Sequence, residues 1–232
     1  MKRIAVVLGL FFSCFVVTSR TEAQVLKNLL GGDKGSDNIA AGLKEALSIG
    51  AEAAAKNLSS VDGYFANAAV KILMPDEAKK VEEKLRAIGL GKQVDDAILS
   101  MNRAAEDAAK SATPIFVNAI RQMSIQDAAS ILKGGDDAAT GYLKSKTTSQ
   151  LTEAFRPVIE KSLEKVDATK YWNAVFSAYN KVSLKKVNPD LGAYVTEKAL
   201  SGIFYQVAQE ELKIRKDPLA RTTDLLKSVF GN

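Results

Sequence analysis

Apolar residues recur every three or four positions along almost the whole chain after Ile39. Alanine fills many of the neighbouring positions, and the first such stripe consists of Ile39, Leu43, Leu47, Gly50, Ala54 and Leu58. This period places apolar side chains on one face of an α-helix, and small residues on that face let helices pack closely. The sequence therefore predicts an all-α fold for residues 39–232, a single compact bundle of about eight to ten helices with no significant sheet.

Proline, capping residues and glycine mark where the predicted helices begin and end. Pro75 is expected to open a helix that Gly89 ends, because proline suits the first helical turn and glycine the end. Ser124 with Asp127 forms a capping pattern for a short helix that stops at Gly134. These signals indicate that the helices are of ordinary length and joined by short turns.

Three further features interrupt the helical period. Residues 59–74 break it and are expected to form an extended connector. Thr147 with Gln150 matches a capping box, which predicts that a separate helix starts there, and Pro157 is expected to kink or divide that helix. These signals indicate a weak division of the body near residues 144–148.

The N-terminal segment has the pattern of a bacterial secretory signal. Two basic residues precede an apolar run that is shorter than the about 20 residues needed to span a bilayer, and small residues follow it. We expect residues 1–23 to be a signal peptide cleaved after Ala23, with residues 24–38 as a flexible tether. The protein is then periplasmic or secreted. The alternative is a lipoprotein anchored at Cys14.

The composition excludes several classes of function. The chain contains no histidine, and its one cysteine, Cys14, lies inside the predicted signal. Hydrolases that need a histidine base, thiol enzymes and the common zinc sites are therefore excluded, and we expect neither a metal nor a cofactor. The net charge of +5 comes from basic residues interleaved with acidic ones, so no nucleic-acid partner is expected. No later apolar stretch is long enough for a transmembrane helix.

An acid–base enzyme without histidine needs two carboxylates in unlike environments, and a cluster of polar residues could supply them. The candidate polar cluster comprises Asn102, Arg103, Glu106, Asp127, Asp136, Asp137, Glu211, Arg215, Arg221 and Asp224. Three pairs lie four residues apart, namely Asn102 with Glu106, Arg103 with Asp107, and Glu211 with Arg215. Residues at this spacing share a helix face and can pair there, so internal bracing is the simpler interpretation.

Two parts of the candidate polar cluster have further interpretations. Asp136 and Asp137 follow a double glycine, but they lack the alternating ligands of a calcium loop, so we expect them to cap the helix that carries Tyr142. Arg215 and Arg221 could instead build a polar cleft suited to a carboxylate or a phosphate.

Aromatic residues are concentrated in one short stretch. They are Tyr171, Trp172, Phe176 and Tyr179. At helical spacing such residues either belong to the core or line a pocket for an apolar ligand or a sugar. The core is the expected role, and the pocket is the alternative.

Several motifs occur together in a recognisable order. They occupy residues 42–47, 101–106, 116–123, 127–142 and 211–230, and include the run Met101-Asn102-Arg103-Ala104-Ala105-Glu106. By these motifs the chain resembles a family of exported bacterial proteins, all-helical and described as a domain of unknown function. The resemblance covers almost everything after Ile39. It implies no reaction, substrate or cofactor.

Three functions are consistent with these features. The leading hypothesis is a non-enzymatic helical protein of the bacterial envelope that binds a partner protein or a small apolar or anionic ligand. The second is a hydrolase or lyase that uses Glu106, Asp136 or Glu211 as acid and base, without metal. The third is a structural protein that self-assembles through its alanine-rich helices.

Overall fold

Eight α-helices and one short 3₁₀ helix make up most of the residues that the computed structural model describes, which are 33–165, 168–182, 186 and 190–217. These ranges contain no strand, so the all-α prediction is confirmed. The helices are α1 (Asp33–Ser59), the 3₁₀ helix (Asp76–Ala78), α2 (Lys79–Ala87), α3 (Gly91–Ala109), α4 (Ala112–Arg121), α5 (Ile125–Lys133), α6 (Ala138–Glu164), α7 (Ala168–Val182) and α8 (Leu191–Lys216).

Helix α6 lies at the centre of the fold and contacts α3, α4, α5, α7 and α8. Its buried side chains are spaced four residues apart, at Leu143, Thr147, Leu151, Phe155, Ile159 and Leu163. Because a helix turns by about 100° per residue, a spacing of four advances the stripe by about 40° at each step. The buried stripe therefore winds around α6, so that different neighbours cover successive turns.

Small residues allow the close packing of α3 in this core. Ala104, Ala105, Ala108 and Ala109 are each fully buried. Larger side chains fill the space between the other helices, as where the rings of Phe116 and Phe204 meet edge to face with centroids 5.9 Å apart. The alternation of small and large side chains supplies the dense interior that holds a fold without disulfides together.

Most of the predicted helix boundaries agree with the structure. Gly89 ends α2 with a φ of 84°, in the region that favours glycine. Ser124 and Asp127 form the predicted capping box of α5, with the backbone N–H of Asp127 donating to Ser124 Oγ over 3.0 Å. Gly134 then follows the last residue of α5. Local signals therefore determine these boundaries.

The predicted helix start at Thr147 is wrong, and so is the division near residues 144–148. Helix α6 runs without a break through Thr147 and Pro157. The hydroxyl of Thr147 donates backwards to the carbonyl oxygen of Leu143 over 2.7 Å instead of accepting a bond from a following N–H group. Leu143 and Leu151 are both fully buried, and this burial on either side of Thr147 keeps the chain helical.

The start of the first helix is also earlier than predicted. Helix α1 begins at Asp33, so residues 33–38, which were expected to belong to a flexible tether, are helical. Extending an existing helix by one turn is inexpensive, because each added residue gains a hydrogen bond without a new nucleation step. The predicted signal peptide, residues 24–32 of the predicted tether and all residues after Asp217 lie outside the described residues.

The connector after α1 is non-helical, as predicted, although turns rather than extended chain occupy its first part, residues 60–70. Asp62 adopts a positive φ of 67° in one of these turns. A Cβ atom on Gly63 would lie 2.4 Å from the carbonyl oxygen of Asn57, so only glycine fits there. Residues 71–75 then lead into the 3₁₀ helix.

None of the helices in the described part of the chain combines the length and the apolar character that crossing a bilayer requires.

Candidate functional site

Asn102, on α3, is a buried polar residue that binds the connector. Its Oδ1 accepts from the backbone N–H of Ile72 over 2.8 Å, and its Nδ2 donates to the carbonyl oxygens of Ile72 and Ile98 over 2.8 and 2.7 Å. The side-chain amide thus satisfies both backbone groups of Ile72. Asn102 therefore fixes the connector against α3 and leaves no donor or acceptor aimed at solvent.

Glu106, one turn further along α3, is a buried carboxylate that is also fully occupied. Its Oε1 accepts from the backbone N–H groups of Tyr64 and Phe65 over 3.1 and 3.2 Å. Its Oε2 accepts from Arg103 Nη1 over 2.7 Å, and Arg103 Nη2 reaches Asp62 over 2.7 Å. Because the residue is 4% exposed, this carboxylate braces the turn at residues 62–65.

The predicted pairing of Arg103 with Asp107 is wrong. Arg103 pairs with Glu106 and Asp62, and Asp107 pairs with Lys110 over 2.8 Å. The turn at Asp62 brings a second carboxylate to Arg103 from a distant part of the chain, which spacing along one helix does not reveal. By binding both Asp62 and Glu106, the guanidinium group of Arg103 forms charge-assisted hydrogen bonds with two carboxylates, whereas pairing with Asp107 would give it one.

Tyr64 joins the same turn to α8. Its hydroxyl donates to the carbonyl oxygen of Ala199 over 2.8 Å, and its side chain is fully buried. Burial, with the nearby charge of Glu106, raises the pKa of Tyr64 well above the usual range, so the hydroxyl remains a donor. The turn at residues 62–65 is therefore held by α3 on one side and by α8 on the other.

Glu211, on α8, is the second buried carboxylate and caps α6. Its two oxygens accept from the backbone N–H groups of Ala139 and Thr140 over 3.0 and 2.8 Å, and from Thr140 Oγ1 over 2.8 Å. Arg215 donates to the same carboxylate over 2.9 Å and to the carbonyl oxygen of Ile131 over 2.9 Å. The first N–H groups of a helix need acceptors, and Glu211 supplies them from another helix.

The acidic residues before α6 do not have the roles that were predicted. Asp137 is the residue before the first turn, but its side chain makes no capping hydrogen bond, because Glu211 already binds the first N–H groups of α6. Asp136 forms an ion pair with Lys216 over 2.6 Å. The side chains of Asp136 and Asp137 are both exposed at the surface.

The candidate polar cluster therefore separates into groups. Asn102, Arg103 and Glu106 brace the connector, Glu211 and Arg215 brace α6, and Asp127 caps α5. The predicted ion pair of Glu211 with Arg215 is observed. Arg221 and Asp224 lie outside the described residues.

The aromatic stretch on α7 contributes rings to the core. Trp172 and Phe176 are 6% and 4% exposed and pack with ring centroids 4.3 Å apart. Trp172 also stacks on Tyr194 of α8 at 6.0 Å, and Tyr179 contacts Phe176 edge to face. The side chain of Tyr171 lies outside the described residues. The ring of Trp172 therefore lies against one face of the ring of Tyr194.

Tyr194 forms part of an open cleft between the connector and α8. The cleft has a volume of about 440 Å³. We call it the lysine cleft, and it is lined by residues 69–76 with Lys79, Tyr194, Lys198, Ser201, Gly202 and Tyr205. The hydroxyl of Tyr194 donates to the carbonyl oxygen of Leu73 over 2.7 Å and so joins the two walls. Burial, with the charges of nearby carboxylates, raises the pKa of Tyr194 to about 12, which keeps this hydroxyl protonated.

The lysine cleft is positively charged. Three lysines line it against one carboxylate, Asp76, which pairs with Lys79 over 2.8 Å. The hydrogen bond and charge of Lys79, together with the charge of Lys198, lower the pKa of Asp76. The ammonium groups of Lys71 and Lys198 lie over the rings of Phe65 and Tyr194, at 3.9 and 5.7 Å from the centroids. Lys79 pairs directly with Asp76, whereas the charges of Lys71 and Lys198 act at longer range on Asp95 and Asp76. The charges of Glu77 and Glu197 also act on Tyr194.

Sequence reasoning missed the lysine cleft, although part of its signal is present. Tyr194, Lys198, Ser201 and Tyr205 are spaced by four, three and four residues, which places them on one face of α8. The opposite wall comes from the connector, which lies more than a hundred residues earlier in the chain. Only the tertiary fold brings the two walls together.

In the described part of the chain, no three acidic residues come together in a way that could hold a metal ion.

No curated protein and no solved structure gave a match. A family model described as "protein of unknown function (DUF4197)" matches residues 33–231. This match confirms the resemblance to a domain of unknown function of about the predicted extent. The chain belongs to the family of proteins of unknown function DUF4197.

Proposed function

We propose that the protein is an exported, non-enzymatic binding protein of the bacterial envelope that takes up a small anionic ligand in the lysine cleft. The observation that carries this proposal is the charge of the cleft, where three lysines face the single carboxylate of Asp76. The volume of about 440 Å³ lies within the range of small-molecule sites. Ammonium groups are effective partners for carboxylates and phosphates.

The construction of the cleft also supports binding. The walls are joined by the bond from Tyr194 to Leu73, and Asn102 fixes the neighbouring Ile72 to α3. A site held in this way loses little conformational entropy when a ligand enters, so more of the interaction energy contributes to affinity.

The alternative of a carboxylate-dependent enzyme has less support. A general acid or base must reach its substrate, and its lone pairs must be free for the proton. Glu106 and Glu211 are each 4% exposed, and their oxygens are occupied by backbone N–H groups and arginines. Asp136 is exposed but paired with Lys216. We therefore assign Glu106 and Glu211 to folding.

Titration with inorganic phosphate and pyrophosphate, followed by calorimetry and by fluorescence, tests the proposal. The chain has one tryptophan, Trp172, and its stacking on Tyr194 makes it a reporter of the cleft. We expect Lys198→Gln to weaken phosphate binding about fivefold, as expected for one unit charge at about 4 Å in water. Lys213→Gln is the matched control, since Lys213 lies on the same helix outside the cleft. Equal effects of the two substitutions, or no binding to the unmodified protein, would refute the proposal.

A substitution of opposite sign sharpens the same test. Asp76→Asn removes the one carboxylate of the cleft and releases Lys79, so we expect phosphate to bind about threefold to fivefold more tightly at low salt. Asp96→Asn is the control, because Asp96 pairs with Lys92 elsewhere on the surface. Weaker binding by Asp76→Asn would show that an anion does not occupy this position.

A further inference from the structure

The connector presents two unpaired backbone groups to the lysine cleft. Among the described residues, neither the carbonyl oxygen of Lys71 nor the N–H group of Leu73 has a hydrogen-bond partner. Both residues line the cleft. By contrast, the N–H and carbonyl groups of Ile72, which lies between them, are both bound by Asn102. Unpaired backbone groups along the edge of an extended segment are a template for a further strand.

The bonds to Asn102 determine in which direction the two unpaired groups point. In a trans peptide bond the carbonyl group and the following N–H group point in opposite directions, and the described chain has no cis peptide bond. Since both groups of Ile72 point towards α3, the carbonyl group of Lys71 and the N–H group of Leu73 point away from it. The hydroxyl of Tyr194 reaches the carbonyl oxygen of Leu73 from α8. The unpaired edge of the connector is therefore the one that borders the cleft.

The connector has the local geometry that strand addition needs. Ile72 is 2% exposed and Leu73 is 54% exposed, as expected where successive side chains of an extended chain face opposite sides. Lys71 and Leu73 are two residues apart, which is the spacing that one residue of an added parallel strand bridges. The N–H group of that residue donates to the first position, and its carbonyl oxygen accepts from the second.

Lysines lie at both ends of this edge. Lys71 belongs to the edge itself. At the other end Lys79 pairs with Asp76 over 2.8 Å, and the charge of Lys198 also acts on Asp76. A peptide that lies along residues 71–76 therefore meets positive charge before and after the unpaired backbone groups. Acidic side chains on both sides of its bridging residue complement this arrangement.

We propose that the anion taken up in the lysine cleft is an acidic peptide in extended conformation, which adds to the connector as a strand and pairs with Lys71 and Leu73. This inference rests on the proposed function and names the class of ligand. Backbone pairing supplies affinity, and the lysines select acidic side chains. A simple carboxylate or phosphate dianion can accept from the N–H group of Leu73, but it has no donor for the carbonyl oxygen of Lys71.

Calorimetric titration with two dianions of equal charge tests this assignment. The probe is a tripeptide with glutamate on either side of alanine, acetylated and amidated so that only the two carboxylates are charged. Decanedioate is the control, because it carries two carboxylates and no amide. We expect the peptide to bind at least about tenfold more tightly than decanedioate, since it forms two additional hydrogen bonds.

Methylated peptides separate hydrogen bonding from charge. Each amide nitrogen of the capped tripeptide is methylated in turn, which removes one donor and leaves both carboxylates in place. We expect at least one of these peptides to bind at least about fivefold more weakly, because the carbonyl oxygen of Lys71 then loses its donor. The register of the added strand determines which nitrogen this is.

A matched pair of substitutions tests the pairing from the side of the protein. Leu73→Pro removes the backbone N–H group, whereas Leu73→Ala retains it, and both remove the exposed leucine side chain. Proline and the residue before it favour extended chain, so the connector can accommodate the change. We expect the ratio of peptide affinity to decanedioate affinity to be about fivefold lower in Leu73→Pro than in Leu73→Ala. Unfolding in urea verifies that both variants fold.

The outcomes separate this assignment from the proposed function. Equal binding of the peptide and decanedioate, or no effect of methylation at any nitrogen, overturns the peptide and leaves an anion site standing. No binding of any anion, inorganic phosphate included, overturns both. Equal binding of a neutral peptide with glutamine in place of glutamate overturns the role of the lysines. Weaker binding of the uncapped tripeptide supports a segment inside a longer chain as the ligand, and equal or tighter binding supports a free peptide.

Discussion

Buried carboxylates in this protein serve as acceptors for backbone N–H groups. Glu106 binds two N–H groups of a turn, and Glu211 binds the first N–H groups of α6 together with a threonine hydroxyl. Each carboxylate also pairs with an arginine of its own helix. Sequence spacing predicted the pairing of Glu211 with Arg215, but the N–H partners lie 41 to 72 residues away. Those partners explain why a charged residue is tolerated inside the core.

Glu211→Gln is expected to lower the free energy of unfolding by about 2–4 kcal/mol, because it removes a charged acceptor and leaves the capped N–H groups poorly satisfied. Asp96→Asn, which breaks an exposed pair with Lys92, is expected to cost less than about 0.5 kcal/mol. Urea unfolding followed by circular dichroism measures both. A similar small loss in the two variants would contradict the bracing role of Glu211.

At the scale of helices, the predicted helix start at Thr147 was wrong because the same sequence pattern is compatible with two structures. Thr147 with Gln150 matches a capping box, and the same hydroxyl bonds to the preceding turn when the chain stays helical. Helix α6 stays helical because buried side chains on both sides of Thr147 pack against different neighbours. By contrast, the hydroxyl of Ser124 accepts from the backbone N–H of Asp127, and this capping box does start a helix.

Pro157→Ala tests how much strain α6 tolerates. Proline inside a helix removes one hydrogen bond and clashes with the preceding turn, so the exposed Pro157 is expected to cost stability, and alanine to raise the free energy of unfolding by about 1–3 kcal/mol. Pro75→Ala is the control, since Pro75 precedes a helix and suits its position; we expect a small loss there. If Pro157→Ala destabilises the protein, the proline shapes α6 for the burial of Phe155 and Ile159.

At the scale of the whole molecule, the connector and α8 determine the lysine cleft. Tyr64 reaches Ala199, Tyr194 reaches Leu73, and Gly202 lets the ring of Tyr64 approach the helix. These contacts join parts of the chain separated by 121 to 135 residues. Export and self-assembly, which also concern the whole molecule, stay predictions of the sequence.

Gly202→Ala tests the approach of the connector to α8. A Cβ atom there would lie 2.6 Å from Tyr64 Cε1, so we expect a loss of about 1–3 kcal/mol in the free energy of unfolding. Gly141→Ala is the matched control, because nothing lies within 4 Å of its Cβ position in α6, and alanine there is expected to stabilise the helix by about 0.5–1 kcal/mol. The same sign for both substitutions would show that Gly202 is not closely packed.

The sequence by itself determined the fold class and most of the helix ends. The spacing of apolar residues that predicts a helix involves only residues in neighbouring turns. Likewise, the start of α5 at Ser124 and the end of α2 at Gly89 depend on residues within one turn of each boundary.

Only the tertiary structure decided which polar residues meet. It placed Glu106 and Glu211 against distant N–H groups, kept α6 continuous through Thr147, and brought the connector to α8 so that three lysines share one cleft. Each of these outcomes depends on contacts between residues far apart in the chain. The physical reason is that charges and hydrogen bonds act over a few ångströms in space, whereas sequence patterns report only neighbours along a helix.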